Sequence, residues 1–349
     1  MSALLEKLQA GIDLNRSDVK YAVTFLLTEA APAAEKAAIL TALHEKGETT
    51  EEIAGFVEQL IDRAVDPMID QTALAEPMID VCGTGGSSLD LFNVSTTIMF
   101  ILAAGGATVV KHGNRSVTSC CGSADVIEAL GIRLVWTPQD LNACVQRLGL
   151  GFIYAREYHP AFRALAEMRA QLARAGTRTV FNLLGPLLNP ARPPRQLIGV
   201  YAPRLTKVFA EVLRQLKRER AWVVHGSAEN GAGMDNISTG GATTLAELNE
   251  GRVTSAVLDC RWLGITAGSL AEVRGATAAE NAKTLTGILS GDVTGAKRDL
   301  ALVNAGGAFV VAGLAQDLGD GISLAREQID SGRALQKLRA FQDYSAKTR

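Results

Sequence analysis

The sequence predicts an α/β protein in which a small N-terminal helical domain precedes a larger domain with a mostly parallel central sheet. Residues 1–65 carry short amphipathic helical patterns, whereas from residue 78 onward short apolar runs alternate with helical patterns. Such alternation is typical of a parallel sheet with crossover helices. We expect the helical domain at residues 1–75, with a helical contribution from about 160–185, and the α/β domain at residues 76–349.

Helix-start signals divide the first 65 residues into four helices. Ser17 can cap the second helix, and Pro32 suits the first turn of the third. Thr49 lies three residues before Glu52, which is the spacing of a capping box. Helices this short need a partner surface. They either pack on the rest of the chain or also form a dimer interface.

Apolar runs and helical periodicity predict the elements of the second domain. Strands are expected at "MIDV", "TVVKH", "FIYA", "QLIGVYA" and "AWVVHG", and a hairpin is expected around "NEGR". Helical patterns cover 123–130, 138–148, 160–174, 204–219, 278–290, 298–315 and 320–342.

Composition excludes several classes of protein. Of the 349 residues, 47% are hydrophobic and 21% charged, which suits a large core and not a disordered chain. The net charge of −2 gives no field that favours nucleic acid or an anionic membrane. The longest apolar run, 98–110, is too short to span a bilayer. The five cysteines lack metal-ligand spacing. We therefore expect a cytoplasmic protein without nucleic-acid or membrane partners.

A glycine-rich turn in "DVCGTGGSSLDLFNVSTT" follows the first strand of the second domain. Gly83, Gly85 and Gly86 allow backbone N–H groups to approach an anion closely. The helix opened by residues 93–96 adds unpaired donors and a favourable dipole. Taken alone, this turn could equally be a tight strand–helix connection without a ligand.

A second polar loop, "VVKHGNRSVTSCCGSADVIEALG", also lies between a strand and a helix. Loops at the carboxyl ends of neighbouring parallel strands face one crevice, where open α/β sheets bind ligands. Lys111 could neutralise a phosphate there, and nearby hydroxyls and backbone amides could satisfy its oxygens. Together, the two loops predict a phosphate site.

The motifs "GTGG", "FNVST", "KHGNRSV", "GSADVIEALG", "HPAFR", "RTVFNLLGPLLNP", "GMDNIS" and "LVNAGGAF" resemble those of the anthranilate phosphoribosyltransferase family, in the same order. The resemblance extends from about residue 4 to 340. It implies transfer of a phosphoribosyl group from phosphoribosyl pyrophosphate (PRPP) to anthranilate in tryptophan biosynthesis, with Mg²⁺. It also implies a homodimer formed through the helical domain.

The resemblance implies a set of PRPP contacts in the two loops. These are Gly83, Gly86, Ser87, Asn93, Ser95, Thr96, Lys111, Asn114, Arg115, Ser119 and Ser123. Ser95 would also bind Mg²⁺, although a serine at this position could simply cap the helix. Lys111 and the metal would stabilise the transition state, and no catalytic residue is certain.

The remaining implied positions concern the acceptor and the metal. Gly83, Asn114 and Arg169 would contact anthranilate, with the Arg169 guanidinium receiving the carboxylate. His112 could pack against the aromatic acceptor or be a structural histidine bonded to backbone. Asp235 and Asn236 occupy the positions of two further metal ligands.

The chain departs from the family pattern near the pyrophosphate. Ser87 stands where Asp is usual, Leu91 where Thr is usual, and Asn236 where Glu is usual. Cys120 takes a position often held by a polar residue, and the segment before "RTVFN" is about three residues longer than usual. These changes leave open a related transferase or phosphorylase with another acceptor, or a non-catalytic paralogue that binds a nucleotide or nucleic acid.

Overall fold

The computed structural model describes residues 2–85, 89–116 and 121–348. Its first four helices are α1 Ser2–Gln9, α2 Arg16–Leu27, α3 Ala33–Lys46 and α4 Thr50–Ile61. The predicted capping box of Thr49 and Glu52 is confirmed. The predicted cap at Ser17 is wrong, because Asn15 caps α2 and Asp18 returns the bond to the Asn15 backbone.

A single sheet forms the centre of the molecule. Its strands are β1 Met78–Gly83, β2 Thr108–Gly113, β3 Leu150–Tyr154, β4 Arg195–Gly199, β5 Arg220–Ser227, β6 Gly233–Met234, β7 Thr243–Asn249 and β8 Arg252–Leu258. The order is β3-β2-β1-β4-β5-β7-β8, with β6 on β5. Strands β1 to β5 pair in parallel, whereas β7 pairs antiparallel with β5 and β8. The predicted mostly parallel sheet and the hairpin at "NEGR" are confirmed.

Helices cover both faces of the sheet. They are α5 Val94–Ala104, α6 Ser123–Ala129, α7 Pro138–Leu148, α8 Ala155–Tyr158, α9 Ala166–Arg174, α10 Phe181–Leu184, α11 Arg204–Gln215, α12 Leu270–Val273, α13 Ala278–Ser290, α14 Ala296–Val311, α15 Leu318–Asp330 and α16 Arg333–Lys347. The single helix predicted for 320–342 is wrong, since Gly332 has a φ of 74° and separates α15 from α16. The pattern at 160–174 begins as a 3₁₀ helix, Pro160–Leu165.

Two hydrophobic clusters lie on opposite faces of the sheet. One joins β1 to β3 with α5, α14 and α16, and includes Phe100, Phe309 and Phe341. The other joins the N-terminal helices to α11 and to β4, β5 and β7, with Phe56 and Phe209 fully buried. The N-terminal helices therefore share one core with a face of the sheet. The division into domains at residue 75 stays a prediction.

The direction of chain travel leaves a crevice near β1. The chain runs from β1 outward through β2 to β3, and then returns to the other side of β1 as β4. Open parallel sheets bind ligands at such a switch point, outside the carboxyl ends of the strands. Both polar loops predicted to bind phosphate start there, after Gly83 and Gly113. Across the described ranges, no helix has the length and apolar character needed to cross a membrane.

Candidate active site

The loop that carries Asp235 lies directly against the ends of β1 and β4. The Gly85 backbone N–H donates to Asp235 Oδ2 at 3.0 Å. A Cβ atom on Gly83 would lie 2.5 Å from that oxygen, and one on Gly199 would lie 1.7 Å from the Asp235 carbonyl oxygen. Both strands must therefore end in glycine. The sequence motifs do not single out Gly199, although a glycine inside the apolar run "QLIGVYA" is a usable signal.

Three predicted metal ligands line one narrow cleft. Ser95, Asp235 and Asn236 share it with the carboxyl ends of β1, β4 and β5. Their hydroxyl, carboxylate and amide oxygens are donors suited to Mg²⁺, which keeps several waters and substrate oxygens and needs no cage made wholly of protein. The described residues contain no group of three or more His, Cys, Asp or Glu side chains arranged for a metal. The donor set therefore fits Mg²⁺ held jointly with a phosphorylated substrate.

Asn304 holds the metal-side loop in place and was not predicted. Its Oδ1 accepts from the Ile237 backbone N–H at 2.9 Å, and its Nδ2 donates to the Ile237 carbonyl at 2.9 Å. Gly307, one turn further along α14, lets that helix approach the Ile237 side chain closely. Through Asn304 and Gly307, the "LVNAGGAF" motif thus holds Ile237, which directly follows Asp235 and Asn236, in place.

Lys111 lies beneath the loops and not in the open crevice. Its side chain is 2% exposed, and Nζ donates to the Val81 carbonyl at 2.5 Å and to Ser95 Oγ at 3.0 Å. Burial lowers the pKa of Lys111, while the nearby carboxylate of Asp80 opposes that shift. The Lys111 ammonium is therefore connected to the cleft through its hydrogen bond to Ser95, which lines the cleft.

Asp80 is a fully buried carboxyl group that is not among the predicted site residues. Its Oδ2 accepts from Asn189 Nδ2 at 2.9 Å, and its Oδ1 accepts from the His112 backbone N–H at 3.3 Å. Burial raises the pKa of Asp80 to about 6, with Lys111 acting in the opposite direction. The usable signal was a lone aspartate within the apolar strand "MIDV".

The second loop is held to α6 by carboxylates. Arg115 donates to Asp125 at 2.9 Å and to Glu128 at 2.8 Å, and these bonds raise its pKa. Asp125 also accepts from the backbone N–H groups of Ser116 and Gly122. The Arg115 guanidinium would have to leave or share these partners to contact PRPP.

The remaining predicted PRPP positions differ in accessibility. Ser123 Oγ donates to the Asn114 carbonyl at 3.4 Å. Thr96 is fully buried, and its Oγ1 has no hydrogen-bond partner among the described residues, so a contact from this residue would come from the backbone. Asn93 caps α5 and is half-buried. The predicted contacts Gly86, Ser87 and Ser119 lie outside the described residues, as does Cys120.

A series of rings connects the second loop with Arg169. His112 and His159 meet edge to face at 5.4 Å, His159 stacks on Phe162 at 5.2 Å, and Phe162 meets Phe181 at 5.8 Å between ring centroids. The Arg169 Cζ atom lies 5.0 Å from the Phe181 ring centroid. These rings form a largely buried aromatic series, in which only Phe162 is partly exposed, and the series ends at a guanidinium.

His112 is neutral in this environment. Burial and the neighbouring His159 lower its pKa to about 3, and the ring hydrogen-bonds the Gly185 backbone. Its Nε2 has no partner within the described part of the chain. The structure thus supports the structural alternative for His112, with its ring at the start of the aromatic series.

Comparison with known proteins identifies the family. The glycosyl transferase family helical bundle domain matches residues 2–64, and the glycosyl transferase family a/b domain matches residues 75–335. The anthranilate phosphoribosyltransferase of Haloferax volcanii is 44% identical over 98% of this chain and all of its own length. That of Anaeromyxobacter sp. is 41% identical over 96% of both chains.

Solved structures agree with these matches. The crystal structure of the Thermus thermophilus anthranilate phosphoribosyltransferase has a TM-score of 0.89 and 34% identity, covering 98% of this chain and 99% of the other. The Saccharomyces cerevisiae enzyme in complex with PRPP and Mg has a TM-score of 0.85 and 25% identity, covering 99% and 98%. With its helical and α/β parts both matched over nearly their full length, the chain belongs to the anthranilate phosphoribosyltransferase family.

Proposed function

We propose that the protein transfers the phosphoribosyl group of PRPP to the amine of anthranilate, giving N-(5-phosphoribosyl)anthranilate and pyrophosphate, a step in tryptophan biosynthesis. The observation that carries this proposal is the match to anthranilate phosphoribosyltransferases along both the helical and the α/β parts, with 44% identity to the Haloferax volcanii enzyme.

The pyrophosphate end of PRPP is assigned to the cleft at the carboxyl ends of β1 and β4. As the bond from ribose C1 to pyrophosphate breaks, negative charge grows on the leaving group. The unpaired N–H groups at the start of α5 and the charge of Lys111 favour that change. Because Lys111 donates to Ser95 Oγ, it also orients a hydroxyl that lines this cleft.

Ser95, Asp235 and Asn236 are the residues that would hold Mg²⁺. The yeast relative binds PRPP and Mg, which supports use of this metal. Bound with PRPP, the ion would neutralise charge on the departing pyrophosphate. Asp235 supplies the only charged side chain of these three ligands, since Asn236 offers a neutral amide.

The acceptor is assigned to the partly exposed end of the aromatic series, beside Phe162 and Arg169. The anthranilate ring would pack along these rings, and its carboxylate would meet the Arg169 guanidinium. A variant of the yeast relative binds 4-fluoroanthranilate, which supports an aromatic acid as the acceptor. The aromatic amine is neutral at pH 7, so it needs positioning more than deprotonation. Asn114 would help to place it beside ribose C1.

We also propose a cytoplasmic homodimer. Ile12 and Tyr21 expose 52% and 51% of their surface on the N-terminal helical segment, which supports association through it. Cys82, Cys144 and Cys260 are free thiols, which suits a reducing compartment. Light scattering during size exclusion tests the dimer, and a monomer at micromolar concentration would contradict it.

A fluorescence assay tests the activity. Purified protein mixed with anthranilate, PRPP and MgCl₂ should consume anthranilate. No loss should occur when PRPP is omitted or when Mg²⁺ is chelated. Release of base from a pyrimidine nucleoside and phosphate, without anthranilate consumption, would instead identify a phosphorylase and overturn the proposal.

A further inference from the structure

A short linker before α13 is joined to the first substrate loop by backbone contacts. The Gly275 N–H donates to the Asp90 carbonyl at 2.7 Å, and the Phe92 N–H donates to the Val273 carbonyl at 3.2 Å. A Cβ on Gly275 would lie 2.6 Å from the Leu91 carbonyl oxygen. The linker and the residues that lead into Asn93 therefore form one unit.

Asn281, in the first turns of α13, hydrogen-bonds both backbone groups of Ala276 in that linker. It is 3% exposed, and its Oδ1 accepts from the Ala276 backbone N–H at 2.9 Å. A backbone N–H can only donate, so the orientation of the Asn281 amide is determined. Its Nδ2 then donates to the Ala276 carbonyl at 3.1 Å and to Asn93 Oδ1 at 2.9 Å.

The orientation of the Asn281 amide determines the orientation of the Asn93 amide. Because Asn93 Oδ1 faces Asn281, its Nδ2 faces the opposite side and donates to the Cys121 carbonyl at 3.4 Å. Asn93 thereby connects the first loop with the end of the second. An amide nitrogen carries two hydrogens, so this side chain can bridge the loops and also donate to an anionic ligand.

We propose that Asn281 is a positioning residue for PRPP binding, which acts by holding the Asn93 amide with its nitrogen toward the second loop and the substrate. This inference rests on the proposed function. Asn281 does not itself contact substrate. Its effect passes through one hydrogen bond between residues 188 positions apart in the chain.

Replacing Asn281 with Asp reverses the polarity at nearly constant shape. A carboxylate can still accept from Ala276 but cannot donate to Asn93 Oδ1. Asn93 would then turn its nitrogen toward residue 281 and present its oxygen to the Cys121 carbonyl and to the phosphates. We expect the KM for PRPP to rise about tenfold or more, as for loss of a charge-assisted bond, with kcat changed far less.

A double-mutant cycle separates positioning from general damage. In an Asn93→Ala background, Asn281→Asp should change the KM for PRPP by less than about twofold, since the group it acts through is gone. Asn142→Asp is the matched control, because Asn142 also accepts from a backbone N–H, on α7 away from the cleft. It should leave the KM for PRPP unchanged.

Several outcomes would overturn the inference. A wild-type KM for Asn281→Asp would do so, as would an equal rise in both backgrounds. If Asn281→Asp does not fold, Asn281→Ala tests the same coupling by calorimetry of PRPP binding with MgCl₂, where the loss of affinity should disappear in the Asn93→Ala background. Additive losses would reject it. Absence of PRPP-dependent anthranilate consumption in the wild type would instead reject the proposed function.

Discussion

Lys111 brings a positive charge into the core beneath the glycine-rich loop. Its ammonium donates to a backbone carbonyl and to Ser95, so under the proposed function its effect on PRPP would pass through the Ser95 hydroxyl. A buried charge of this kind acts in a medium that screens it less than water does. Under the proposed function, Lys111 would therefore stabilise an anion in the cleft without being exposed to solvent.

Replacing Lys111 with Met keeps most of the volume and removes the charge. We expect calorimetry to show PRPP affinity reduced at least about tenfold, because a charge-assisted interaction is worth about 1.5–3 kcal/mol. The KM for anthranilate at saturating PRPP should change little. Lys36→Met is the control, since Lys36 is also a buried lysine but lies on α3 outside the cleft. Unchanged PRPP affinity in Lys111→Met would exclude this role.

Arg169 ends the aromatic series and is the assigned partner of the acceptor carboxylate. Arg169→Ala should raise the KM for anthranilate about tenfold or more through loss of a charge-assisted hydrogen bond. PRPP affinity should remain near wild type. Arg163→Ala removes an exposed arginine from the preceding 3₁₀ helix and should have no such effect. If both variants kept the wild-type KM, another group would have to receive the carboxylate.

Asn236 places a neutral amide where the family usually has a second carboxylate. Mg²⁺ favours charged oxygens, so Asn236→Glu should lower the Mg²⁺ concentration that gives half-maximal activity at fixed PRPP. The effect on turnover has no fixed sign, because a carboxylate would also repel pyrophosphate. Asn230→Glu adds the same charge on an exposed turn and should not move the midpoint. An equal or higher midpoint for Asn236→Glu would show that residue 236 does not meet the metal.

At the scale of elements, the starts of α2 and α4 are set by pairs of reciprocal hydrogen bonds between the cap residue and the residue three positions later. The Thr49 hydroxyl accepts from the Glu52 N–H, and the Glu52 carboxylate accepts from the Thr49 N–H at 2.8 Å. Glu52 is fully buried and also accepts from Lys46 and from the Leu14 backbone. One carboxylate thus joins the start of α4 to the end of α3 and to the α1–α2 connection.

Removal of the Thr49 hydroxyl should weaken this junction. Thr49→Ala is expected to lower the free energy of unfolding by about 1 kcal/mol, the usual cost of losing an N-cap. Urea unfolding followed by circular dichroism measures the change. Thr24→Ala is the control, because Thr24 is exposed within α2 and bonds only locally and to Arg63. Equal midpoints for Thr49→Ala and the wild type would contradict the role of the cap.

At the scale of the whole molecule, Asp80 couples stability to pH. Burial raises its pKa to about 6, above the value of about 3.9 expected in the unfolded chain. Between these values the native state binds more protons, so stability falls as pH rises through the window. The free energy of unfolding of the wild type, relative to that of Asp80→Asn, should therefore fall by about 2 kcal/mol from pH 4 to 7.

Urea unfolding of both proteins at several pH values gives this difference directly. Comparing the two proteins removes the contribution of groups that titrate alike in both. Asp343→Asn, an exposed substitution on α16, should give a profile parallel to the wild type. A difference that stays constant for Asp80→Asn from pH 4 to 7 would mean that Asp80 does not titrate in this window.

Local patterns were sufficient for most of the architecture. Alternation of apolar runs and helical periodicity predicted β1 to β5, the β7–β8 hairpin and most helices, because these depend on neighbouring residues. The local patterns failed where an element is very short, or where the same periodicity continues across a break between two elements. The strand β6 has two residues, and the apolar periodicity of 320–342 continues across the break at Gly332.

The sequence by itself determined the fold class, the two polar loops and, through its motifs, the family. Only the tertiary structure decided how the site residues are held: Lys111 beneath Ser95, Arg115 against two carboxylates, and Asn93 oriented by Asn281. The physical reason is distance along the chain. Caps and periodicity involve residues within a few positions, whereas burial and the polarity of a side-chain amide depend on partners that only folding brings together.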